Sequence, residues 1–176
     1  MSSSLLSRVR HVLVDCDGVL TDGTLPYAAQ AEERKSFHSR DGAMIRYAAG
    51  LGLRTGICSG RPGAAVQRRA DELDLTPVLL GVDDKVAAID AWLTGQTDLS
   101  WSGLCFVGDD LPDAGPLMRA GVGVAVADAT PWLRRRADVV TRAPGGAGAV
   151  AEILARILRA QGRWRDPLDL AREAHG

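Results

Sequence analysis

The segment His11-Val12-Leu13-Val14-Asp15-Cys16-Asp17-Gly18 constrains this chain more than any other. Its apolar, β-branched opening has the character of a strand buried in a parallel sheet. The run ends in two carboxylates two positions apart, and a glycine follows at once. Side chains alternate faces along a strand, but at the carboxyl end the backbone turns away and both acids can address one cleft. An acid pair at that edge suits a hard cation such as Mg²⁺. It equally suits a division of labour at phosphorus between a nucleophile and an acid/base. Taken alone, the segment also reads as an Asp-Gly turn beside an exposed acid. The rest of the chain decides between these readings.

Strand-like runs alternate with helical stretches along the remainder. Strands are expected over residues 9–14, 53–58, 76–80, 104–107, 121–126 and 137–140. A helix is expected over 42–49, with Asp41 as its N-cap and Gly50-Leu51-Gly52 as its stop. Another should cover 62–73, where Pro62 suits a first turn. Further helices are expected over 86–93, 114–120, 131–136 and 149–160. Residues 18–37 read as a β-hairpin flap with strand-like edges near 24–27 and 34–37, and residues 162–176 as a polar tail. This alternation through short loops implies an α/β fold: a doubly wound, mostly parallel, Rossmann-like sheet with helices on both faces. The 176 residues fit one domain spanning 1–176, long enough to bury roughly two-thirds of the unfolded surface.

Charge and composition narrow the partners. A net charge of −1 gives no bulk attraction to nucleic acid or to an anionic membrane, so neither is expected. No apolar segment approaches the ~20 residues of a membrane span. Residues 1–7 are too short and polar for a signal peptide, which points to the cytoplasm. Cys16, Cys58 and Cys105 lack any metal-like spacing and read as small buried thiols. Nineteen of the 21 cationic residues are arginine, leaving Lys35 and Lys85 as the only lysines. A guanidinium is a planar fork and an ammonium a compact point charge, so lysine is unusual here wherever it occurs.

Four loops after four successive expected strands carry polar groups at one sheet edge: Asp15 with Asp17, Ser59-Gly60-Arg61, Lys85, and Asp109 with Asp113. Ligands of such sheets bind outside the carboxyl ends of the strands. Each residue type has work to do at a phosphoryl group. A carboxylate can attack phosphorus, a divalent ion offsets the charge of two meeting anions, and a hydroxyl and an ammonium hold the oxygens. A second acid can protonate the departing alkoxide and then activate water. Asp113 also fits a simpler part, capping the helix that follows it.

The segment from Asp15 to Gly23 resembles the first motif of the haloacid dehalogenase superfamily of phosphohydrolases. Ser59, Lys85 and Gly108-Asp109-Asp110-x-x-Asp113 fall where its second, third and fourth motifs stand. Phe37-His38-Ser39-Arg40-Asp41-Gly42, Ile45-Arg46, Gly60-Arg61, Val107-Gly108-Asp109-Asp110-Leu111 and the stretches 123–129 and 135–146 narrow the likeness to one branch. That branch holds the 3-deoxy-D-manno-octulosonate 8-phosphate phosphatases and their sialate 9-phosphate relatives. The likeness runs over residues 9–164.

The resemblance implies a Mg²⁺-dependent hydrolysis of a sugar-acid phosphate monoester through an aspartyl phosphate on Asp15. It implies Asp17 as acid/base, with Mg²⁺ held by the Asp15 carboxylate, the Asp17 carbonyl and Asp109, and with Asp113 nearby. Ser59 and Lys85 would grip the phosphoryl group. His38, Ser39, Arg40, Asp41, Gly42, Arg46, Gly60, Arg61 and Arg69 match substrate-contacting positions, where guanidinium groups would suit a sugar carboxylate. The branch has Asn where this chain has His38, and some relatives have lysine where it has Ala64. Octulosonate 8-phosphate is the expected substrate, with a sialate 9-phosphate or another sugar phosphate as the alternative. The resemblance also implies no cap domain and a homotetramer whose packed flaps cover the sites.

Two readings from other classes compete. A signalling receiver domain carries its phosphorylated Asp after the third strand, yet here that strand ends Leu79-Leu80-Gly81. A catalytically silent scaffold would have no need of the acid pair, Ser59, Lys85 and the Gly-Asp-Asp run together.

Overall fold

The computed structural model describes residues 2–26 and 34–165. Six strands form one sheet in the order β3-β2-β1-β4-β5-β6, and every neighbouring pair is parallel. They are β1 (His11–Val14), β2 (Arg54–Ser59), β3 (Val78–Leu80), β4 (Leu104–Gly108), β5 (Val122–Ala125) and β6 (Val139–Val140). The helices are α1 (Ser2–Leu6), α2 (Ser39–Gly50), α3 (Ala64–Glu72), α4 (Lys85–Thr94), α5 (Ala114–Arg119), α6 (Pro131–Arg134) and α7 (Ala149–Ala160). All four residues of β1 and all five of β4 are buried, as strands covered on both faces must be. The helices supply that cover: α2 and α1 pack on α7, and α4 packs on α5.

Strand order sets the position of the crevice. The chain steps outward from β1 to β2 and β3, then crosses back to β4 and steps the other way. The reversal leaves a gap between the loops after β1 and β4, where an open sheet receives its ligand. Register aligns these loops. Val14 lies opposite both Ile57 and Val107, and Ser59 opposite Leu80.

Two expectations need correction. The first helix starts at Ser39, and His38 is its cap, its Nδ1 accepting from the Arg40 N–H at 3.2 Å. Asp41 therefore lies inside the first turn of α2. Its carboxylate accepts from the Ala151 N–H at 2.7 Å, so it caps the otherwise uncapped start of α7. Burial pushes the Asp41 carboxyl above its ordinary pKa, against the pull of that hydrogen bond. The second correction concerns the flap: residues 24–26 and 34–37 are irregular rather than strand. Residues 27–33 of the expected hairpin and 166–176 of the expected tail lie outside the described residues. Helix α1 was not anticipated.

Cys16, Cys58 and Cys105 are all buried and unbridged. Burial pushes the Cys58 thiol up to about 12 and that of Cys105 higher still, so both stay protonated. His11 is also a packing residue. Its Nε2 lies 2.6 Å from the Thr76 carbonyl, its ring 5.0 Å from that of Trp92, and burial lowers its pKa. Among the described residues no helix is long and apolar enough to cross a membrane.

Candidate active site

Asp15 follows β1 directly, tied by its N–H to the Val107 carbonyl at 3.0 Å, so its backbone continues the β1–β4 pairing into the crevice. The chain then turns sharply over Cys16–Leu20, with Gly18 at φ 92. Only glycine suits this position, because a Cβ there would overlap the Asp109 carboxylate and the backbone is left-handed. The turn is held from outside by Gly145 and Gly146. Gly146 N–H donates to the Val19 carbonyl at 2.9 Å, and a Cβ on Gly145 would strike the Gly18 carbonyl.

The opposite wall comes from the loop after β4. Asp113 turns its Oδ2 back onto the N–H groups of Asp109 (2.9 Å) and Asp110 (3.4 Å), fixing the Gly108–Asp113 bend. Its side chain does not cap α5. The other oxygen, Oδ1, accepts from Lys85 Nζ at 2.6 Å, and the same ammonium reaches Asp15 Oδ1 at 2.8 Å. Lys85 is the first residue of α4, whose N-cap is Asp84. Asp84 accepts from the N–H groups of Val86 and Ala87, aiming Lys85 across the cleft.

Asp15, Asp109 and Asp113 each offer a carboxylate oxygen within 4.8 Å of the others. Three acids stand against the single Lys85 ammonium, and burial makes the excess negative charge costly. Burial first, then Asp113, push the Asp15 carboxyl up to about 6, with Lys85 pulling the other way. Burial, Asp113 and Asp15 push Asp109 up to about 8. Burial works against the charge on Lys85, yet Asp113 and Asp15 outweigh it, and its pKa lies above the ordinary lysine value. An all-oxygen, electron-rich pocket of this kind fits a hard divalent cation, which would neutralise the surplus.

These groups line a cleft of about 440 Å³, together with Asp17, Ser59, Gly60 and Arg61. Ser59 ends β2 and its Oγ accepts from the Arg61 N–H at 3.3 Å. Asp17 faces the cleft between two cations: Lys35 Nζ donates to Oδ1, and Arg61 Nε lies 3.7 Å from Oδ2. The structure thus brings together Asp15, Asp17, Ser59, Gly60, Arg61, Lys85, Asp109 and Asp113. His38, Ser39, Arg40, Asp41, Gly42, Arg46 and Arg69 do not line the cleft. Arg69 and Arg46 both bond Glu72, at 2.8 Å and 3.0 Å, and the Arg69 guanidinium lies 5.7 Å above the Phe37 ring and against Gly42. Sequence reasoning gave no site role to Lys35, Asp83 or Asp110, although Asp110 stands within the fourth motif; all three lie around the site. For Lys35 a signal existed, since it is one of only two lysines.

Fold and site together mark a phosphoric monoester hydrolase of the doubly wound α/β type. No protein-family model matches the chain. It is 39% identical over 155 residues to the 3-deoxy-D-manno-octulosonate 8-phosphate phosphatase KdsC of Escherichia coli K12, covering 88% of this chain and 82% of that one. The crystal structure of the Moraxella catarrhalis 3-deoxy-D-manno-octulosonate 8-phosphate phosphatase, in complex with a magnesium ion, a phosphate ion and KDO, superposes with a TM-score of 0.89. Its identity is 30%, covering 99% of this chain and 97% of that one. The cobalt-bound phosphatase YrbI of Haemophilus influenzae gives a TM-score of 0.85 at 35% identity, covering 90% and 92%. The chain belongs to the haloacid dehalogenase superfamily, in its KdsC-type octulosonate 8-phosphate phosphatase branch.

Proposed function

We propose that this chain is a Mg²⁺-dependent phosphatase of 3-deoxy-D-manno-octulosonate 8-phosphate, acting through an aspartyl phosphate on Asp15. One observation carries the reading: Asp15, Asp109 and Asp113 converge within 4.8 Å, with buried Lys85 bonded to Asp15 and Asp113, in a family whose Moraxella member binds magnesium, phosphate and KDO. Mg²⁺ would be held by the carboxylates of Asp15 and Asp109 and the carbonyl of Asp17, with Asp113 alongside. When bound, it supplies the positive charge that lets an anionic nucleophile approach an anionic phosphate.

The remaining steps belong to the side chains. Ser59 Oγ and Lys85 Nζ bind phosphoryl oxygens and orient the phosphorus toward Asp15. The Asp15 carboxylate attacks in line, forming the acyl phosphate as the bond to the sugar oxygen breaks. Asp17, protonated, gives its proton to that departing oxygen, then as carboxylate takes one from the water that splits the acyl phosphate. Arg61, exposed at the mouth beside Asp17, would pair with the sugar carboxylate. His38, Ser39, Arg40, Asp41, Gly42, Arg46 and Arg69 are proposed as outer substrate contacts on the resemblance alone. Asp41 and Arg69 also have firm partners elsewhere in the fold.

Phosphate release measured over a panel of sugar phosphates with Mg²⁺ tests the substrate. Octulosonate 8-phosphate should be turned over with the highest kcat/KM, and preference for a sialate 9-phosphate would replace it. The whole chain is read as one domain working in the cytoplasm without a cap: β2 and Lys85 are separated only by α3 and β3. Among the described residues the cleft is open, and Leu111 beside it is 68% exposed, so a homotetramer that closes the site suits it. Light scattering should give the mass of four chains; a fully active monomer would exclude this assembly.

A further inference from the structure

Both lysines of a chain that uses arginine nineteen times arrive at the same acid constellation, from stretches fifty residues apart in sequence. Lys85 has an evident task on Asp15 and Asp113. Lys35 has none in the reaction described above, yet its side chain is only 2% exposed and its ammonium donates to Asp17 Oδ1. It does not line the cleft, and the site residue it touches is Asp17.

The second oxygen of Asp17 is the informative one. Oδ2 is shielded from solvent, makes no hydrogen bond, and has Arg61 Nε no nearer than 3.7 Å. A carboxyl group anchored by one oxygen while the other is left without a hydrogen bond suits proton transfer: the unbonded oxygen would give and take the proton, and the anchored one fixes the direction. An ammonium can hold a single oxygen as a point charge, whereas a guanidinium fork tends to take both. That accounts for a lysine in a chain otherwise given to arginine. The backbone that delivers it is pinned nearby: Phe37 packs on the core beneath Arg69, and His38 caps α2.

We propose that Lys35 is a positioning residue for Asp17, anchoring Oδ1 so that Oδ2 is aimed at the leaving oxygen of the substrate. The proposal rests on the reading of Asp17 as the general acid. It assigns the segment just before α2 a part in the chemistry.

Leaving-group dependence of kcat/KM provides the test, because this constant reports the steps up to departure of the leaving group. An alkyl phosphate such as a sugar phosphate needs a proton on its departing oxygen; dinitrophenyl phosphate does not. For the full-length protein with Mg²⁺, Lys35→Met should lower kcat/KM on the sugar phosphate by roughly 10- to 100-fold. On dinitrophenyl phosphate the loss should be less than about threefold. Lys35→Arg should recover only part of the loss, and Lys35→Gln serves as a second neutral variant if Lys35→Met folds poorly. Equal losses on both substrates, or no loss on either, overturn the proposal. Asp17→Asn is the reference: it must show the same asymmetry more strongly. If Asp17→Asn is asymmetric and the Lys35 variants are not, only the role of Lys35 fails. If Asp17→Asn loses equally on both substrates, the acid assignment fails and the role of Lys35 fails with it.

Discussion

Asp15→Asn is expected to abolish turnover while leaving the fold intact. A carboxamide oxygen is a poor nucleophile toward phosphorus, and the variant forms no acyl phosphate. Phosphate release from the sugar substrate should fall on the order of 10⁴-fold or more, about 5.5 kcal/mol of lost transition-state stabilisation. Stability should move the other way or not at all. Burial pushes the Asp15 carboxyl up to about 6, so at neutral pH the fold carries a charge that its surroundings disfavour. Asparagine removes that charge at almost the same volume, and Lys85 keeps its 2.6 Å bond to Asp113. Thermal denaturation should show an unchanged or higher midpoint beside the lost activity. Phosphate release undiminished at matched Mg²⁺ would remove Asp15 from the nucleophile's role.

Lys85→Met should be the most destabilising single change in the cleft. The ammonium is buried between Asp15 and Asp113, the latter side chain being 1% exposed, with Asp109 close behind. Removing one partner of a buried pair leaves uncompensated carboxylates and costs about 3–5 kcal/mol. The pH dependence follows from the directions of the shifts. Asp15 and Asp109 titrate above their unfolded values, near 6 and 8, so their protonated forms suit the folded state. A carboxyl raised in this way favours folding below its unfolded pKa, and that contribution is lost as pH rises through the folded value. Without Lys85 the loss is steeper. The gap between variant and wild type in chemical denaturation should be small near pH 4.5 and largest near pH 8.5. In the wild type the raised pKa of Lys85 keeps its charge throughout that window. A gap independent of pH would mean that the lysine acts by packing, as its approach to the Phe106 ring at 6.0 Å allows.

The sheet was legible because each strand is a short apolar run closed by a polar loop, a pattern with few other uses. The residues at the strand ends followed from it: Asp15, Ser59 and Asp109 stand where backbone pairing carries them, and parallel register leaves them little freedom. Lys85 was legible for its loop but not for its partners, since its link to Asp113 spans 28 residues of sequence. Asp41 shows the limit of local capping rules. It stands near a helix start, as a cap should, but the helix it caps is α7, 110 residues away along the chain. Local spacing cannot see that partner. By sequence alone Asp113 fits both a helix cap and a site residue. The structure gives its two oxygens two tasks, one on the loop backbone and one on Lys85. The contacts of Gly145 and Gly146 with the Gly18 turn depend on tertiary packing alone.

A crystal structure of the protein with Mg²⁺ and beryllium trifluoride, a mimic of an acyl-bound phosphoryl group, bears most directly on all of this. The account predicts beryllium bonded to a carboxylate oxygen of Asp15, fluorines against Ser59 and Lys85, and the ion between Asp15 and Asp109. Beryllium bound at another residue, or an ion seated away from the three acids, would contradict it.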